Sequence, residues 1–306
     1  MGESSAYPNP ITPTRTRIGW IGIGVMGGAM ASRLISNGYS LTLYARNPSK
    51  LLPFQSSQGP HFATSPKHVA ESCDVVFTML GHPPDVRSVV LEQVVSGLSP
   101  DCVTVDMTSS HPDLAKQIFT AARARGCWSV DAPVSGGDVG AKDGNLAIFA
   151  GGESAVVEWL KPLFEILGKV TYMGQAGCGQ SCKIANQIAI SSNLVGLSEG
   201  LVFAEQAGVD LKQFLEAIRG GAAGSNALEL FGDRMIQRNW GGGFIGYMVK
   251  DLGMGLDFGD KGEDDKAVVL PGASLNKQLF SSMVAIGNGM HGPQGLITVI
   301  QRINGK

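Results

Sequence analysis

The residues with the clearest chemical potential lie just past the middle of the 306-residue chain, between Gly177 and Gln187. Two glycines precede a helical pattern there, and Lys183 falls on the first turns of the predicted helix. Residues 184–198, which follow it, carry no charge. A lone lysine entering an uncharged helix is either a rim residue whose amine reaches solvent or a buried amine able to exchange a proton. Because lysine is seldom buried without a partner, this segment alone leaves both interpretations open.

Two cysteines flank this lysine. Cys178 and Cys182 lie four residues apart and would share a helix face beside Lys183, as half of a metal site would require. No histidine or further cysteine stands at ligand spacing, so we expect packing residues and no metal. The chain holds five cysteines, an odd number, which indicates free thiols in a reducing compartment. The cytoplasm is the first expectation for that compartment, and the mitochondrial matrix is the alternative.

Composition excludes several classes of function. Lysine and arginine number 24 against 26 acidic residues, for a net charge of −2, which argues against nucleic-acid binding and against attraction to anionic membranes. Hydrophobic residues make up 43%, enough for a sizeable core, but no apolar run approaches the roughly 20 residues that span a bilayer. Residues 1–16 are polar, contain three prolines, and are predicted to be a disordered tail.

A glycine motif follows that tail directly. A short apolar strand, 17–21, leads into a G-x-G-x-x-G, and a helical stretch and a second strand, 40–45, come next. Glycines in this context permit a tight turn, a close approach to a pyrophosphate and close packing of helix on strand. The helix N-terminus then offers unpaired N–H groups to the phosphates. The sequence therefore predicts dinucleotide binding by Gly22, Ile23, Gly24, Val25, Met26 and Gly27.

The end of the second strand bears on the choice of dinucleotide. NAD sites usually place an acidic residue there to bond the ribose 2′-hydroxyl. Arg46 and Asn47 stand at this point instead, and an arginine can clamp a 2′-phosphate. The sequence therefore favours NADP, with NAD as the alternative if Arg46 is an ordinary loop charge.

Strands and helices continue to alternate as far as residue 173, which predicts a doubly wound parallel sheet. Ligands bind at the carboxyl ends of such strands, where Met79, Leu80, Thr108 and Ser135 stand. Beyond Gly179 only helical patterns remain, beginning with one long helix over 182–206. The sequence thus predicts an α/β Rossmann domain over 17–178 and an all-helical domain over 179–306, joined by this long helix.

Four segments together resemble a known family. They are the glycine motif, 131–137 (DAPVSGG), 177–187 (GCGQSCKIANQ) and 250–252 (KDL). In this order and spacing they are similar to the β-hydroxyacid dehydrogenases, the 3-hydroxyisobutyrate dehydrogenase group. That group includes tartronate semialdehyde reductase and the glyoxylate and succinic semialdehyde reductases. The resemblance covers most of the chain.

The resemblance implies roles for particular residues. Lys183 would be the catalytic lysine, Ser135, Gly136 and Gly137 would cradle a substrate carboxylate, and Thr108 and Lys250 would contact the cofactor. Many members of the family carry asparagine four residues after the lysine. Gln187 holds that position here and Asn186 precedes it, so either side chain could assist Lys183. We place Asn186 with Lys183 as the catalytic pair and Gln187 with the residues that bind the substrate. The implied substrate is a small carboxylate-bearing aldehyde or hydroxy acid.

The expected chemistry is hydride exchange with a nicotinamide, while Lys183 exchanges a proton with the substrate oxygen. An uncharged helix could lower the pKa of the lysine toward about 7–8 for this task. Two competing hypotheses remain open: a non-catalytic NADP(H)-binding regulatory module of the same fold, and an imine reductase. The long helix and the apolar helical domain also indicate a homodimer or homotetramer.

Overall fold

The computed structural model of the protein describes residues 10–55, 59–260 and 268–306. It divides into two compact units, Met1–Lys183 and Ile184–Lys306. The predicted domain boundary at residues 178 and 179 falls a few residues before this division. Part of the predicted disordered tail, residues 1–9, lies outside the described residues. Residues 10–16 form a turn instead, because Ile11 packs into the core and the Thr12 amide bonds the Thr16 hydroxyl.

The first unit is built on one sheet whose described strands have the order β3-β2-β1-β4-β5-β6-β8-β7, with β9 beside β8. The strands are β1 Ile18–Ile21, β2 Leu41–Tyr44, β3 His61–Phe62, β4 Val75–Thr78, β5 Val103–Asp106, β6 Trp128–Asp131, β7 Val134–Ser135, β8 Leu146–Gly151 and β9 Gly168–Gly174. Strands β1 to β6 are parallel throughout. Their carboxyl ends therefore lie along one edge of the sheet.

Both faces of this sheet are covered, which explains why its strands are almost continuously apolar. In β4, Val75 and Phe77 enter the larger core, whereas Val76 enters a core on the opposite face. Side chains alternate in this way because successive Cβ atoms of a strand point to opposite faces. Trp20 and Phe77 stack with ring centroids 5.3 Å apart inside the larger core.

Helices connect these strands and supply the two covering layers. They are α1 Val25–Ser36, α2 Pro66–Ser72, α3 Pro83–Val86, α4 Val95–Gly97, α5 Pro112–Arg123, α6 Gly137–Asp143 and α7 Ser154–Leu167. A π-helical stretch, Arg87–Val94, makes α3 and α4 one continuous helical segment, and a 3₁₀ helix, Pro48–Phe54, follows β2. The predicted Rossmann architecture is confirmed in this unit.

One edge of the sheet departs from the purely parallel prediction. β8 runs antiparallel to both β6 and β7, and only β9 is parallel to β8. Parallel neighbours need a crossover of a dozen or more residues. Between β6 and β8 the chain has room only for the short β7 and the seven-residue α6. The chain therefore turns back on itself, and α6 was not foreseen from the sequence.

The second unit is helical, as predicted. α8, Cys178–Gln206, begins in the first unit and runs for 29 residues. The others are α9 Leu211–Arg219, α10 Asn226–Ile236, α11 Ile245–Asp260, α12 Pro271–Met283 with a π-helical extension Val284–Asn288, and α13 Ile297–Ile303 after a 3₁₀ turn Pro293–Leu296. They enclose a core of their own around Leu201, Leu252 and Phe280. In the described residues no helix is both long and apolar enough to span a bilayer.

Candidate active site

The glycine motif forms the turn between β1 and α1. Gly22 has φ of +102°, and a Cβ there would collide with the carbonyl oxygen of Met79. A Cβ at Gly27 would collide with the carbonyl oxygen of Gly22. At Gly24, by contrast, a Cβ would have no heavy atom within 4 Å, so this turn faces open space. α1 has no side-chain cap and no acidic residue in its first turn. These features fit the pyrophosphate of a dinucleotide.

The three intervening residues of the motif have different surroundings. The Ile23 side chain is buried in the larger core, so only its backbone can contribute to a cofactor site. Met26 is half-buried against the same core, whereas 62% of Val25 is exposed. The motif thus presents mainly backbone N–H groups to a ligand, as a phosphate cradle requires.

Arg46 and Asn47, which follow β2, make different contacts. Arg46 is exposed and forms an ion pair with Asp85, with 3.2 Å between Nη1 and Oδ1. Asp85 also accepts a hydrogen bond from the His82 amide at the start of α3. Asn47 caps the 3₁₀ helix, since its Oδ1 accepts from the Ser49 amide and hydroxyl. The sequence did not reveal the partner of Arg46, because Asp85 lies 39 residues away.

Met79, Leu80 and Thr108 lie together where β4 and β5 end. The Met79 amide donates to Ile21, and the Leu80 amide donates to the Thr108 hydroxyl at 2.8 Å. Thr108 is 1% exposed, and its own amide donates to Asp106 Oδ1. Thr108 therefore ties the loop after β4 to the loop after β5, which favours a positioning role over a direct cofactor contact.

The Ser135-Gly136-Gly137 loop joins β7 to α6. Gly136 has φ of +133° and Gly137 has φ of +65°, conformations that side-chain-bearing residues rarely adopt. A Cβ at Gly137 would meet no heavy atom within 4 Å, so the loop borders open space. Successive backbone N–H groups in such turns form concave anion sites. The predicted substrate-carboxylate loop has the conformation that this task needs.

The start of α8 is held by two buried side chains that the sequence did not single out. Asp131, at the end of β6, accepts hydrogen bonds from the Gly177 and Gln180 amides, both at 2.8 Å. The Gln180 side chain accepts from the Ser110 amide at 2.8 Å and donates to the Thr108 carbonyl at 2.7 Å. The two residues in each of these hydrogen bonds are separated by 46 to 72 positions in the chain, so no local sequence pattern predicts the bonds.

Burial controls the acidity of Asp131. Loss of solvent raises the pKa of its carboxyl from 3.8 to about 6, although the Gly177 and Gln180 amides act in the opposite direction. The nearby Asp106 carboxylate raises the pKa further. A carboxyl group in this position thus changes its protonation state in mildly acidic solution.

Lys183 occupies the second turn of this helix and is 8% exposed. The rim interpretation, in which the amine would reach solvent, is therefore disfavoured. Burial raises the pKa of the neighbouring Cys182 thiol, and the Lys183 charge acts against that rise. All five cysteines, which lie within the described residues, are free thiols. In the part of the chain that the structure describes, no three or more His, Cys, Asp or Glu side chains gather in a metal-binding group.

The other predicted residues lie in the second unit around Asp251, a carboxylate that is 3% exposed. Gln187 Nε2 donates to Asp251 Oδ2 at 2.9 Å, and Gln187 Oε1 accepts from Asn186 Nδ2 at 3.1 Å. Lys250 Nζ lies 3.3 Å from Asp251 Oδ1 and 5.3 Å from the centre of the Tyr247 ring. Gln187 is thus engaged in holding a buried carboxylate, which favours Asn186 as the assistant of Lys183.

Two family models match this chain, and together they cover most of it. The NAD binding domain of 6-phosphogluconate dehydrogenase matches residues 17–174. The model described as NAD-binding of NADP-dependent 3-hydroxyisobutyrate dehydrogenase matches residues 177–300. The two matches meet just before α8. Both models describe NAD-binding regions of dehydrogenases, one over the glycine motif and one over the helical unit.

Individual proteins agree with these matches. A probable 3-hydroxyisobutyrate dehydrogenase-like protein 3, mitochondrial, of Arabidopsis thaliana is 56% identical over 98% of this chain and 92% of its own length. The 2-hydroxy-3-oxopropionate reductase of Escherichia coli is 36% identical over 93% of this chain and 97% of its own length. The solved 3-hydroxyisobutyrate dehydrogenase of Mycobacterium tuberculosis, with L-serine, shares the fold at a TM-score of 0.84 and 23% identity, covering 93% of this chain and 99% of that one.

The chain belongs to the β-hydroxyacid dehydrogenase family, as its four sequence segments indicated. It is an NAD(P)-dependent oxidoreductase that acts on β-hydroxy acids.

Proposed function

We propose that this protein interconverts a small carboxylate-bearing β-hydroxy acid and its semialdehyde, with Lys183 as the general acid and base. The observation that carries the proposal is the environment of Lys183. Its amine-bearing side chain is buried on a turn that Asp131 and Gln180 fasten to the carboxyl edge of the sheet. A lysine shielded from solvent in this way can exchange protons with a substrate.

The protein groups would divide the chemistry as follows. A nicotinamide held by the glycine motif would supply the hydride in reduction and accept it in oxidation. Lys183, as the ammonium, donates a proton from Nζ to the substrate oxygen and stabilises the negative charge that develops there. In oxidation its neutral amine takes the proton back. Asn186 follows three residues later in α8, on the same side of the helix, where its amide can orient the lysine or the hydroxyl.

The substrate carboxylate is assigned to the loop after β7. The backbone N–H groups of Gly136 and Gly137, together with the Ser135 hydroxyl, would hold it as an anion. Support comes from the positive φ angles of both glycines and from the open space beside Gly137. Gln187 is not assigned to substrate binding, because both the oxygen and the nitrogen of its side-chain amide form hydrogen bonds within the second unit.

The preferred cofactor is NADP(H), with NAD(H) as the weaker alternative. Gly22, Gly24 and Gly27 would hold the pyrophosphate, and Arg46 would hold the 2′-phosphate. The absence of a carboxylate among the residues that end β2 supports this preference. We expect Arg46→Ala to raise KM for NADPH much more than KM for NADH, measured by steady-state kinetics. Equal changes in KM for NADPH and KM for NADH would show that Arg46 does not select between the two coenzymes.

The experiment follows oxidation of NADPH and NADH with glyoxylate, succinic semialdehyde, tartronate semialdehyde and methylmalonate semialdehyde. Wild type and Lys183→Ala are compared in parallel, with coenzyme binding by fluorescence as the control for folding. Turnover of one compound that depends on Lys183 supports the proposal and identifies the substrate branch. Coenzyme binding without turnover of any of the four would instead favour a substrate outside this set or the non-catalytic regulatory module.

We also propose a homodimer or homotetramer. Large apolar side chains that the second unit leaves exposed support this, among them Phe203, Leu275 and Ile303. Light scattering coupled to gel filtration is expected to give two or four times the mass of one chain. A single-chain mass at micromolar concentration would reject the proposal.

The cellular compartment is proposed to be a reducing one. Five free thiols support that inference. The relative named mitochondrial makes the matrix a specific alternative to the cytoplasm, and a fluorescent fusion expressed in its native cell distinguishes the two.

A further inference from the structure

Two buried side chains, neither of which has a chemical role in the proposed reaction, hold the turn that carries Lys183 from two directions. From β6, Asp131 accepts two amide hydrogen bonds at the start of α8. From within α8, Gln180 bonds an amide and a carbonyl of the loop after β5. All four bonds are between 2.7 and 2.8 Å, and both side chains are at most 3% exposed.

Asp131 caps α8 from a distance. The Gly177 carbonyl accepts the first hydrogen bond of the helix, from the Ser181 amide, so the helix itself offers no acceptor to the amides of residues 177–180. α8 has no acidic residue in its own first turn. A carboxylate at the helix N-terminus supplies the missing acceptors and interacts favourably with the helix dipole. The strand residue thereby fixes where the helix begins.

Two glycines, Gly151 and Gly179, allow the start of α8 to approach β6 closely. A Cβ at Gly179 would lie 2.5 Å from the Asp131 carbonyl oxygen and 2.8 Å from its Oδ2. A Cβ at Gly151 would lie 2.7 Å from Asp131 Oδ1 and 2.7 Å from the Gly179 amide nitrogen. Both positions therefore exclude larger residues. This first turn of α8 is packed backbone against backbone, which leaves it little freedom to shift.

Gln180 sets the rotation of the helix. Its planar amide bonds two backbone groups of one loop, the Ser110 amide and the Thr108 carbonyl, so that both ends of the side chain are fixed. Lys183 follows three residues later and projects from the same side of the helix. Thr108 in turn accepts from the Leu80 amide, which extends the connection to the loop after β4.

We propose that Gln180 and Asp131 are positioning residues, which fix the Lys183-bearing turn against the loops that end β5 and β6 and so aim its amine. The inference rests on the proposed function for its effect on turnover, but the placement of the amine can be tested separately. A misplacement of about 1 Å in a catalytic group can cost roughly 100-fold in rate. Gln180→Leu is therefore expected to lower kcat by about 10- to 100-fold.

The test compares Gln180→Leu with Ser198→Ala, a matched control farther along α8. Ser198 is also fully buried, and its hydroxyl donates to the Leu194 carbonyl at 2.7 Å. We expect Gln180→Leu to lower kcat while the Kd for NADPH stays within about threefold of wild type, and to shift the pH at which kcat is half-maximal. Ser198→Ala is expected to lower Tm by a similar amount but to leave both kcat and its pH dependence unchanged.

A second measurement does not require turnover. Acetylation of lysines by a water-soluble N-hydroxysuccinimide ester is followed by peptide mass spectrometry, with the exposed Lys212 as the internal reference. Gln180→Leu is expected to raise the labelling rate of Lys183 relative to Lys212 by about threefold or more, because the turn is released. If Gln180→Leu does not fold, Gln180→Glu is used, since it keeps one acceptor for the Ser110 amide and loses the donor to Thr108.

The outcomes separate the two proposals. Wild type without turnover, but with faster Lys183 labelling in the Gln180 variant, would sustain the positioning role and reject the proposed function. Wild type with turnover, and a Gln180 variant whose kcat, pH profile and Lys183 labelling match those of Ser198→Ala, would overturn the positioning role alone. If wild type shows no turnover and Gln180→Leu labels Lys183 at the wild-type rate, the proposed function and the positioning role are both rejected.

Discussion

Two adjacent side chains, Asn186 and Gln187, follow Lys183 at the spacing that could assist it, and the structure gives them different tasks. Gln187 joins Asn186 to the buried Asp251, whose other oxygen lies near Lys250. A buried carboxylate that loses a donor is costly, because its desolvation is then not compensated. At the residue scale, therefore, Gln187 belongs to the stability of the helical unit and Asn186 to the proposed chemistry.

This division can be measured. Gln187→Leu is expected to lower the free energy of unfolding by about 1–3 kcal/mol, because Asp251 loses its amide donor. Asn186→Ala is expected to lower kcat with a much smaller effect on unfolding. Urea denaturation and steady-state kinetics of the two variants provide the comparison. The assignment would be reversed if Gln187→Leu were as stable as wild type and Asn186→Ala retained full turnover.

Asp131 predicts a dependence of stability on pH. Because burial raises the pKa of its carboxyl from 3.8 to about 6, the folded state binds this proton more tightly than the unfolded state does. The stability that it contributes is present below pH 3.8 and is lost as the pH rises through about 6. Asp131→Asn cannot titrate, so the stability of wild type relative to this variant falls across that range.

The expected fall is about 3 kcal/mol over the whole titration, since the pKa rises from 3.8 to about 6 and each unit corresponds to about 1.4 kcal/mol. Urea denaturation of both proteins at several pH values between 4 and about 7 measures it, and subtraction removes the contribution of other groups. A constant difference between wild type and Asp131→Asn over this range would show that Asp131 does not titrate there.

At the scale of elements, the ends of β2 and β4 lie on either side of the glycine turn that follows β1. The Arg46–Asp85 ion pair joins these two ends. A 2′-phosphate bound by Arg46, as proposed above, would compete with the Asp85 carboxylate. We therefore expect the loop after β4 to influence cofactor preference, even though the sequence pattern pointed only to the residues after β2.

We expect Asp85→Asn to lower KM for NADPH by about two- to fivefold, a small effect because exposed ion pairs contribute little. KM for NADH is expected to stay unchanged. The asparagine side chain can still accept from the His82 amide, so the start of α3 is preserved. Glu158→Gln, which removes the same charge at an exposed position on α7, is the control. An equal change in KM for both coenzymes would contradict this role.

Most elements were predictable from the sequence, for a physical reason. Strands β1, β2, β4, β5 and β6, helix α1 and the long α8 carry strong local patterns of apolar residues and glycines. The strand β8 was also predicted, but its antiparallel direction was not, and the short β3, β7 and α6 were missed because so little chain carries a local pattern there. Lys183 and the Ser135–Gly137 loop were found from the sequence. Asp131 and Gln180 were not, because their partners become neighbours only when the sheet forms.

For the whole molecule, cofactor binding provides a test that is independent of substrate. A ligand that binds only the folded state stabilises it by about 2.7 kcal/mol at 100 times its Kd. We expect NADPH to raise the Tm of wild type and of Lys183→Ala equally, because Lys183 serves the substrate. Differential scanning fluorimetry with graded NADPH measures this. A Tm increase seen only in wild type would place Lys183 in the cofactor site instead.

Chemical rescue measures whether the Lys183 amine exchanges a proton with the substrate, as proposed. Lys183→Ala is assayed with the substrate found for wild type, without and with added ethylamine. We expect a loss in kcat on the order of 1,000-fold, and partial recovery that increases with the concentration of the amine. Near-normal kcat in Lys183→Ala without any added amine would show that Lys183 does not exchange this proton.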